Sequence, residues 1–440
     1  MTEPYVDLET GAVSRAIYSD DAIYQQELEG IFARCWLVVG HETQIPRPGD
    51  YLASFMGEDP VIVWRDQAGQ VHAFLNTCRH RGNRVCLYER GNASSFTCSY
   101  HGWSYDSAGA LIGVPFHNEA YFGGLDRTGL GLIEAPKLQV YGGMIFAAWD
   151  AAAGSLEDYL GEVRWYLDHV IRVAEDLGGF DVLAVSRYET AGNWKIPAEN
   201  FAGDHYHNAT THGSSYALGL RRAEFSGPQL PSGPFEVALR PGHGLGGLVT
   251  GEEPYERDLA NAAKIGPEAV DYIRERFARL QARQPGERSI AYSFSHGNIF
   301  PNCALWGGSA LRGNGIFSFH PRGPLKTEVR QLVLIPRAAP QSVREVAYAE
   351  MGRGGHFASG MFEQDDANNF AQVTEATRTP IARRFPFQFG MGVRQEGEWP
   401  GQETWDVRGM PGLIGPRFSE HPQRRFYAYW QELVAGTGRP

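Results

Sequence analysis

Two short segments carry residues whose types and spacing suit metal chemistry. They read Cys78-Arg-His80 and Cys98-Ser-Tyr-His101, with 17 residues between His80 and Cys98. Two Cys/His pairs on adjacent loops can grip one metal centre from opposite sides, as in a zinc or an iron–sulfur site. Each pair sits at the end of a strand-like run and leads into a glycine, Gly82 or Gly102. Repetition of that design argues against chance co-occurrence.

A structural zinc site also accepts two Cys and two His. Zinc fingers, however, group both Cys and then both His, whereas here each loop contributes one of each. That alternation favours a Rieske [2Fe–2S] cluster, in which thiolates hold one iron and imidazoles the other, raising the reduction potential. Cys86 lies between the loops without a paired His and reads as a small buried residue; Cys35 and Cys303 stand apart.

A second constellation lies at Glu199-Asn-Phe-Ala-Gly-Asp204-His-Tyr-His207-Asn-Ala-Thr-Thr-His212. On an ideal helix, His207 and His212 would be about 140° apart round the axis, so one face would not present both to one ion. A helix that ends or distorts near Thr210–Thr211 would bring them together. A third ligand would then be a distant carboxylate, for which Glu363-Gln-Asp365-Asp366 is the obvious supply. Two His and one carboxylate leave open positions on a non-haem iron for O2. Taken singly, each of these His reads as a surface or hydrogen-bonded residue, and the acidic run as a solvated helix end.

The elements around these residues follow from length and pattern. At 440 residues the chain calls for more than one core. With 53 Gly and 26 Pro it implies many turns and substantial β structure. Ile23, Leu28, Ile31, Phe32 and Trp36 give residues 20–37 a helical pattern. Val61-Ile-Val-Trp64 and Val71-His-Ala-Phe-Leu75 read as a hairpin about Gln67–Gln70. Phe96–Tyr100 and the run near Leu111 read as a second pair, and Tyr141–Trp149 as a further strand. Helices are expected over 155–175, near 266–283 and across most of 341–378, with a strand pair around Pro321–Pro324. Residues 225–262, rich in Gly and Pro, read as a loop. The fold expected is α+β: a small antiparallel β domain over 38–155, and a catalytic domain from 1–37 with 156–440.

The formal net charge of −11 argues against a nucleic-acid binder. No apolar run approaches membrane-spanning length, and the N-terminal residues lack a basic and an apolar region, so a cytoplasmic protein is expected. Five cysteines do not read as a disulfide framework.

The chain resembles the α (large, oxygenase) subunits of Rieske non-haem iron aromatic-ring-hydroxylating dioxygenases, of the naphthalene and biphenyl dioxygenase group. The resemblance rests on Cys78-x-His80-x17-Cys98-x2-His101, Asp204-x2-His207-x4-His212 and Glu363-Gln-Asp-Asp366, and covers most of residues 20–380. It implies a Rieske domain followed by a helix-grip catalytic domain, an antiparallel sheet with helices. It implies His207, His212 and Asp366 as ligands of a mononuclear Fe(II). It implies that Asp204 is catalytic, hydrogen-bonding between His207 and a Rieske histidine of the neighbouring subunit; by the motif match that histidine is His101.

By the same resemblance, Asn200, Phe201, His205, His296, Asn298, His356 and Phe362 line the substrate pocket. Relatives commonly have Phe at position 356 and a small residue at 205. The histidine at 356 departs from the pattern and puts a purely apolar substrate in doubt. The activity implied is addition of O2 to an aromatic ring to give a cis-dihydrodiol. Electrons would come from NAD(P)H through a reductase and a ferredoxin. An α3β3 hexamer with a small β subunit is implied, with an α3 trimer as the alternative.

Two other readings are carried. One is a Rieske monooxygenase or demethylase, whose metal residues are shared. The other is a Rieske electron-transfer protein without oxygenase activity, which needs only the first domain. Arg79, Arg81 and Arg84 beside the first cluster loop read either as a patch that steers an acidic ferredoxin or as residues tied to neighbouring groups.

Overall fold

The structure is a computed structural model. It describes residues 5–218, 235–250, 253–283, 292–307, 309–354, 360–395 and 410–440. The chain divides into two compact units, Phe32–Leu156 and a larger one made of Met1–Ile31 with Glu157–Arg439. Antiparallel sheets and helices together make it α+β.

In the smaller unit, Asp59–Arg65 pairs with Val71–Leu75 on one side and Asp50–Met56 on the other, with Arg90–Asn92 at the edge. Val61 to Trp64 are all fully buried, as an unbroken apolar run predicts for a strand covered on both faces. Asp66 closes the hairpin, its Oδ1 accepting the Gln70 amide at 2.7 Å. A second sheet orders Leu111–Gly113, Ser104–Asp106 and Ser95–Thr97. Here the expectation fails in detail. The run from Phe96 ends at Thr97, and the partner of Leu111 is the unforeseen strand Ser104–Asp106. The chain reverses between Cys98 and Gly102, whose amide bonds the Cys98 carbonyl at 2.9 Å. Trp64, Phe74, Phe96, Trp103 and Tyr105 pack with Cys78, Cys86 and Cys98 in one core.

The larger unit is built on a nine-stranded antiparallel sheet. Its main path runs Phe180–Thr190, Thr327–Pro336, Asn314–Pro321, Cys303–Trp306, His296–Ile299, His243–Thr250, Phe235–Leu239 and Leu413–Gly415. The helix Lys195–Gly203 lies across it, with His421–Val434 alongside. Helices Val163–Asp176, Glu253–Ile265, Pro267–Arg283 and Gln341–Gly354 contribute to a second core. The helical pattern at 20–37 yields only Asp21–Glu27, one wider turn over Leu28–Phe32, and then the strand Leu37–His41.

The segment read as a loop, 225–262, is the clearest correction. Its described part holds the hairpin Phe235–Leu239 with His243–Thr250 and the start of a helix. The glycines that suggested a loop have another cause. A Cβ on Gly244 would stand 2.4 Å from the Ala202 carbonyl oxygen, so glycine there lets the helix approach the sheet closely.

The helix Lys195–Gly203 is anchored at its start by a buried ion pair. Lys195 Nζ donates to Glu27 Oε1 at 2.5 Å. Trp430 Nε1 and Trp194 Nε1 donate to the same carboxylate, each at 2.8 Å. All four side chains are buried, so the N-terminal helix, the C-terminal helix and the site-bearing helix share one polar lock.

Candidate metal centres and active site

The two Cys/His loops of the smaller unit have matching backbones. The amide of Gly82 bonds the Cys78 carbonyl and that of Gly102 the Cys98 carbonyl, both at 2.9 Å. Gly82 and Gly102 take φ of 75° and 73°, a left-handed conformation that favours glycine. Each turn projects its Cys inward and its His outward. Cys78 and Cys98 are buried in the core, while His80 and His101 are partly exposed, their rings 4.5 Å apart between centroids. His80 stacks on Trp103 at 5.0 Å and His101 against Tyr100 at 3.8 Å.

The donor set fits a shared metal cluster. Burial opposes ionisation of Cys98, but the amides of Tyr100 and His101, the Asn83 side chain and neighbouring Cys78 outweigh it and hold the thiol below its usual range. Burial, then His101 and Arg81, lower His80, which favours the neutral imidazole that a metal needs. His80 Nδ1 is buried without a hydrogen-bond partner. The Cys78 sulfur lies 3.3 Å from the Tyr105 hydroxyl, which also accepts the Arg79 amide at 3.0 Å. Arg79, Arg81 and Arg84 are exposed; Arg79 Nη1 donates to the Gly131 carbonyl at 3.2 Å, and Arg84 lies over the Phe55 ring.

In the larger unit, the helix Lys195–Gly203 stops at Asp204, whose backbone leaves the helical region. A short 3-10 turn, Tyr206–Ala209, follows, capped at Thr210. This break turns two histidines that an intact helix would splay towards each other, and their Nε2 atoms lie 3.1 Å apart. Asp366, from the helix Met361–Ala376, places Oδ1 at 3.8 Å from His207 Nε2 and 3.6 Å from His212 Nε2. One ligand atom from each of the three residues falls within 4.8 Å of the others, a spread that fits one metal ion. Of the other acids in the run, Glu363 is taken by Tyr188, whose hydroxyl donates to it at 2.5 Å.

Asp204 Oδ2 lies 3.2 Å from His207 Nδ1, and Asn200 Nδ2 donates to the same oxygen at 3.2 Å. Burial alone would lower His207, but Asp204 and then Asp366 reverse this and push it up to about 9. Asp366 is pushed up to about 7, chiefly by burial. Two carboxylates thus crowd the imidazole pair, a charge balance that favours a bound cation.

Aromatic rings pack on the sheet face under the helix. Phe201 packs against Phe317 at 4.9 Å and Phe319 at 5.8 Å, and Phe362 meets the His212 ring edge-on at 4.6 Å. His296 shares a hydrogen bond with Ser295 Oγ at 2.8 Å, and its ring lies parallel to that of His205 at 6.3 Å. Asn298 is buried and spends its amide on the Cys303 carbonyl at 3.1 Å. His356 lies outside the described residues. The sequence reading missed Glu236, a fully buried acid beside His205 and His296. The alternation in Phe235-Glu-Val-Ala-Leu239 could have revealed its strand, had the flanking Gly and Pro not dominated.

Comparison with known proteins covers both units. The Rieske [2Fe-2S] domain family matches residues 35–136, and the ring hydroxylating alpha subunit (catalytic domain) family matches residues 157–436. The chain is 38% identical to biphenyl 2,3-dioxygenase subunit alpha of Rhodococcus jostii (strain RHA1), over 98% of this chain and 90% of that protein. It is 36% identical to benzene 1,2-dioxygenase subunit alpha of Pseudomonas putida, over 98% and 93%. A crystal structure of naphthalene 1,2-dioxygenase from Rhodococcus sp. bound to indole superposes with a TM-score of 0.81 at 33% identity, covering 96% of this chain and 94% of that one.

Proposed function

Because the chain belongs to the ring-hydroxylating alpha-subunit family and is the oxygenase component of an aromatic-ring-hydroxylating dioxygenase, we propose which of its residues hold the two iron centres and the substrate. Cys78, His80, Cys98 and His101 hold the [2Fe–2S] cluster. His207, His212 and Asp366 hold a mononuclear Fe(II). When bound, the cluster supplies single electrons and the ferrous ion binds and activates O2 at its open positions.

The protein's own work is to orient and to exclude water. Asp204 accepts a hydrogen bond from the Nδ1–H of His207 and so leaves Nε2 as the lone pair facing His212 and Asp366. Asn200 holds Asp204 in that pose. Phe201, Phe317, Phe319 and Phe362 form apolar walls against which an aromatic ring can stack, fixing which edge faces the triad. Asp204 also reaches His101 of a neighbouring copy, so the working unit is an oligomer, α3β3 or α3. Reducing equivalents come from NAD(P)H through a reductase and a ferredoxin. Arg81 and Arg84 are placed to steer an acidic ferredoxin, and reduction that is insensitive to salt and to Arg84→Ala would contradict that docking role.

The observation that carries this reading is the convergence of His207, His212 and Asp366 within 4.8 Å. The test is turnover with a reconstituted electron chain under isotopic O2. A cis-dihydrodiol carrying two labelled oxygens is expected; one labelled oxygen or a demethylated product would replace dioxygenation by the monooxygenase reading. Among the described residues no helix is long and apolar enough to cross a membrane.

A further inference from the structure

We propose that Glu236, His205 and His296 form a polar subsite at one end of the active site, which takes a hydrogen-bond-donating group of the aromatic substrate: a hydroxyl, an amine or a ring N–H. The inference rests on the dioxygenase reading above and adds the substrate class.

Three strands bring the polar tips together. Phe235–Leu239 pairs with His243–Thr250, which pairs with His296–Ile299, so that Gly246 lies directly opposite His296. Glu236 stands beside the register shift of the first pair, and its carboxyl reaches over the same glycine. A Cβ on Gly246 would meet His296 Nε2 at 2.1 Å and Glu236 Oε2 at 2.4 Å. A Cβ on Gly247 would meet Ser295 Oγ at 2.0 Å and His205 Nδ1 at 3.5 Å. The bare glycine backbone is therefore what leaves room for these side chains to converge.

Glu236 and His205 are buried and incompletely satisfied. Glu236 is 0% exposed, and neither carboxyl oxygen has a well-formed hydrogen bond. The His205 amide, which bonds the Gly203 carbonyl at 3.2 Å, offers that carboxyl only a marginal, shared hydrogen bond. His205 is 6% exposed, and neither ring nitrogen has a partner. Buried polar groups are nearly always paired, so such a cluster calls for a ligand or for water.

Its position selects the ligand. Both Glu236 and His296 act electrostatically on Asp204, so the cluster adjoins the residue that holds His207. Trp306 pairs across from His296, and Phe317 and Phe319 continue the same face. An aromatic ring on that face would place a substituent at the polar end. A carboxyl keeps at least one acceptor oxygen in either protonation state, and a neutral imidazole keeps one acceptor nitrogen. The complementary group is a donor.

The test uses the holoenzyme, anaerobic and without electron donor, and measures binding by calorimetry for two matched pairs: indole with indene, and 2-naphthol with 2-methylnaphthalene. The donor-bearing member of each pair is expected to bind about tenfold more tightly or better. Glu236→Leu should erase that ratio and Glu236→Gln should keep part of it, with retained cluster absorption showing that the variant is folded. His205→Met is the second variant, should Glu236→Leu not fold, and should also reduce the ratio. Equal affinities in the unaltered protein, or a ratio untouched by either substitution, would mean that water alone satisfies the cluster and would overturn the proposal. Hydroxylation of indene with equal affinities would sink the subsite and leave the dioxygenase standing. A donor preference without hydroxylation of any probe would do the reverse.

Discussion

Asp204 and His207 are joined twice: Asp204 Oδ1 accepts the His207 backbone amide at 3.2 Å, and Oδ2 lies 3.2 Å from the ring Nδ1. The backbone bond fixes where the histidine starts, and the ring bond fixes its tautomer.

Asp204→Asn should keep both metals but turn over poorly. An amide can present a donor where the carboxylate accepted, which disfavours the Nδ1–H tautomer. Changing such an outer partner typically costs about 10- to 100-fold in activity or metal affinity. Iron content, cluster absorption and turnover, measured together, check this. Full turnover in the variant would remove Asp204 from the proposed linkage.

Asp366→Ala should lose the mononuclear iron and leave the Rieske-type visible absorption unchanged. The two ligand sets lie in separate compact units, so one can fail without the other. Metal analysis beside the absorption spectrum is the measurement. Iron retained in the variant would move the carboxylate role elsewhere.

Tyr105→Phe should lower the cluster's reduction potential. The hydroxyl lies 3.3 Å from the Cys78 sulfur, and a donor there stabilises the more electron-rich, reduced form. A net hydrogen bond of about 1 kcal/mol corresponds to a few tens of millivolts, roughly 40 mV for one electron. Voltammetry or a redox titration of the purified protein reads this, and an unchanged or raised potential would contradict it.

Lys195→Met should destabilise the larger unit by about 3–5 kcal/mol, because it strands Glu27 in the core without its counter-ion. Adding Glu27→Gln should recover much of that loss, since the double change removes both charges. Denaturant unfolding of the single and double variants tests the coupling. A single variant as stable as the parent would show that the two tryptophan N–H groups suffice.

Acid should weaken the fold through His243. Burial pulls this imidazole down to about 4, and both ring nitrogens are used: Nδ1 accepts the Phe300 amide and Nε2 donates to the Tyr159 carbonyl. An unfolded histidine titrates near 6.5. Between those values the unfolded chain binds the extra proton, so the contribution is complete above about 6.5 and is lost as pH falls towards 4. Its ceiling is on the order of 3 kcal/mol. The pH dependence of unfolding should flatten in His243→Gln, and an identical profile would exclude this group as the source.

Much of the proposed chemistry was legible in the sequence because the candidate metal ligands come in short local motifs. Cys78, His80, Cys98 and His101 declare themselves by spacing, and the loop backbone follows from Gly82 and Gly102. His207 and His212 were legible as a pair only with a broken helix, and the structure supplies the break at Asp204 and the 3-10 turn after it. Local propensity failed where tertiary contact set the residue type. Gly244 and Gly246 looked like loop residues, yet they belong to a strand whose missing side chains admit a helix and converging polar groups.

By itself, then, the sequence determined the residue classes able to hold metal, the order of the two domains and most helices, because these depend on near neighbours. The motif resemblance named Asp366 among the acids of Glu363–Asp366, and the tertiary structure supplies the physical reason: Asp366 Oδ1 faces both histidines, while Tyr188 from a distant strand claims Glu363. Only the tertiary structure singles out Glu236, which nothing in its own segment marks as special. Three antiparallel strands, with a register shift at Glu236, bring it over Gly246 to meet His296 and His205, and long-range strand pairing of that kind leaves no short motif to read.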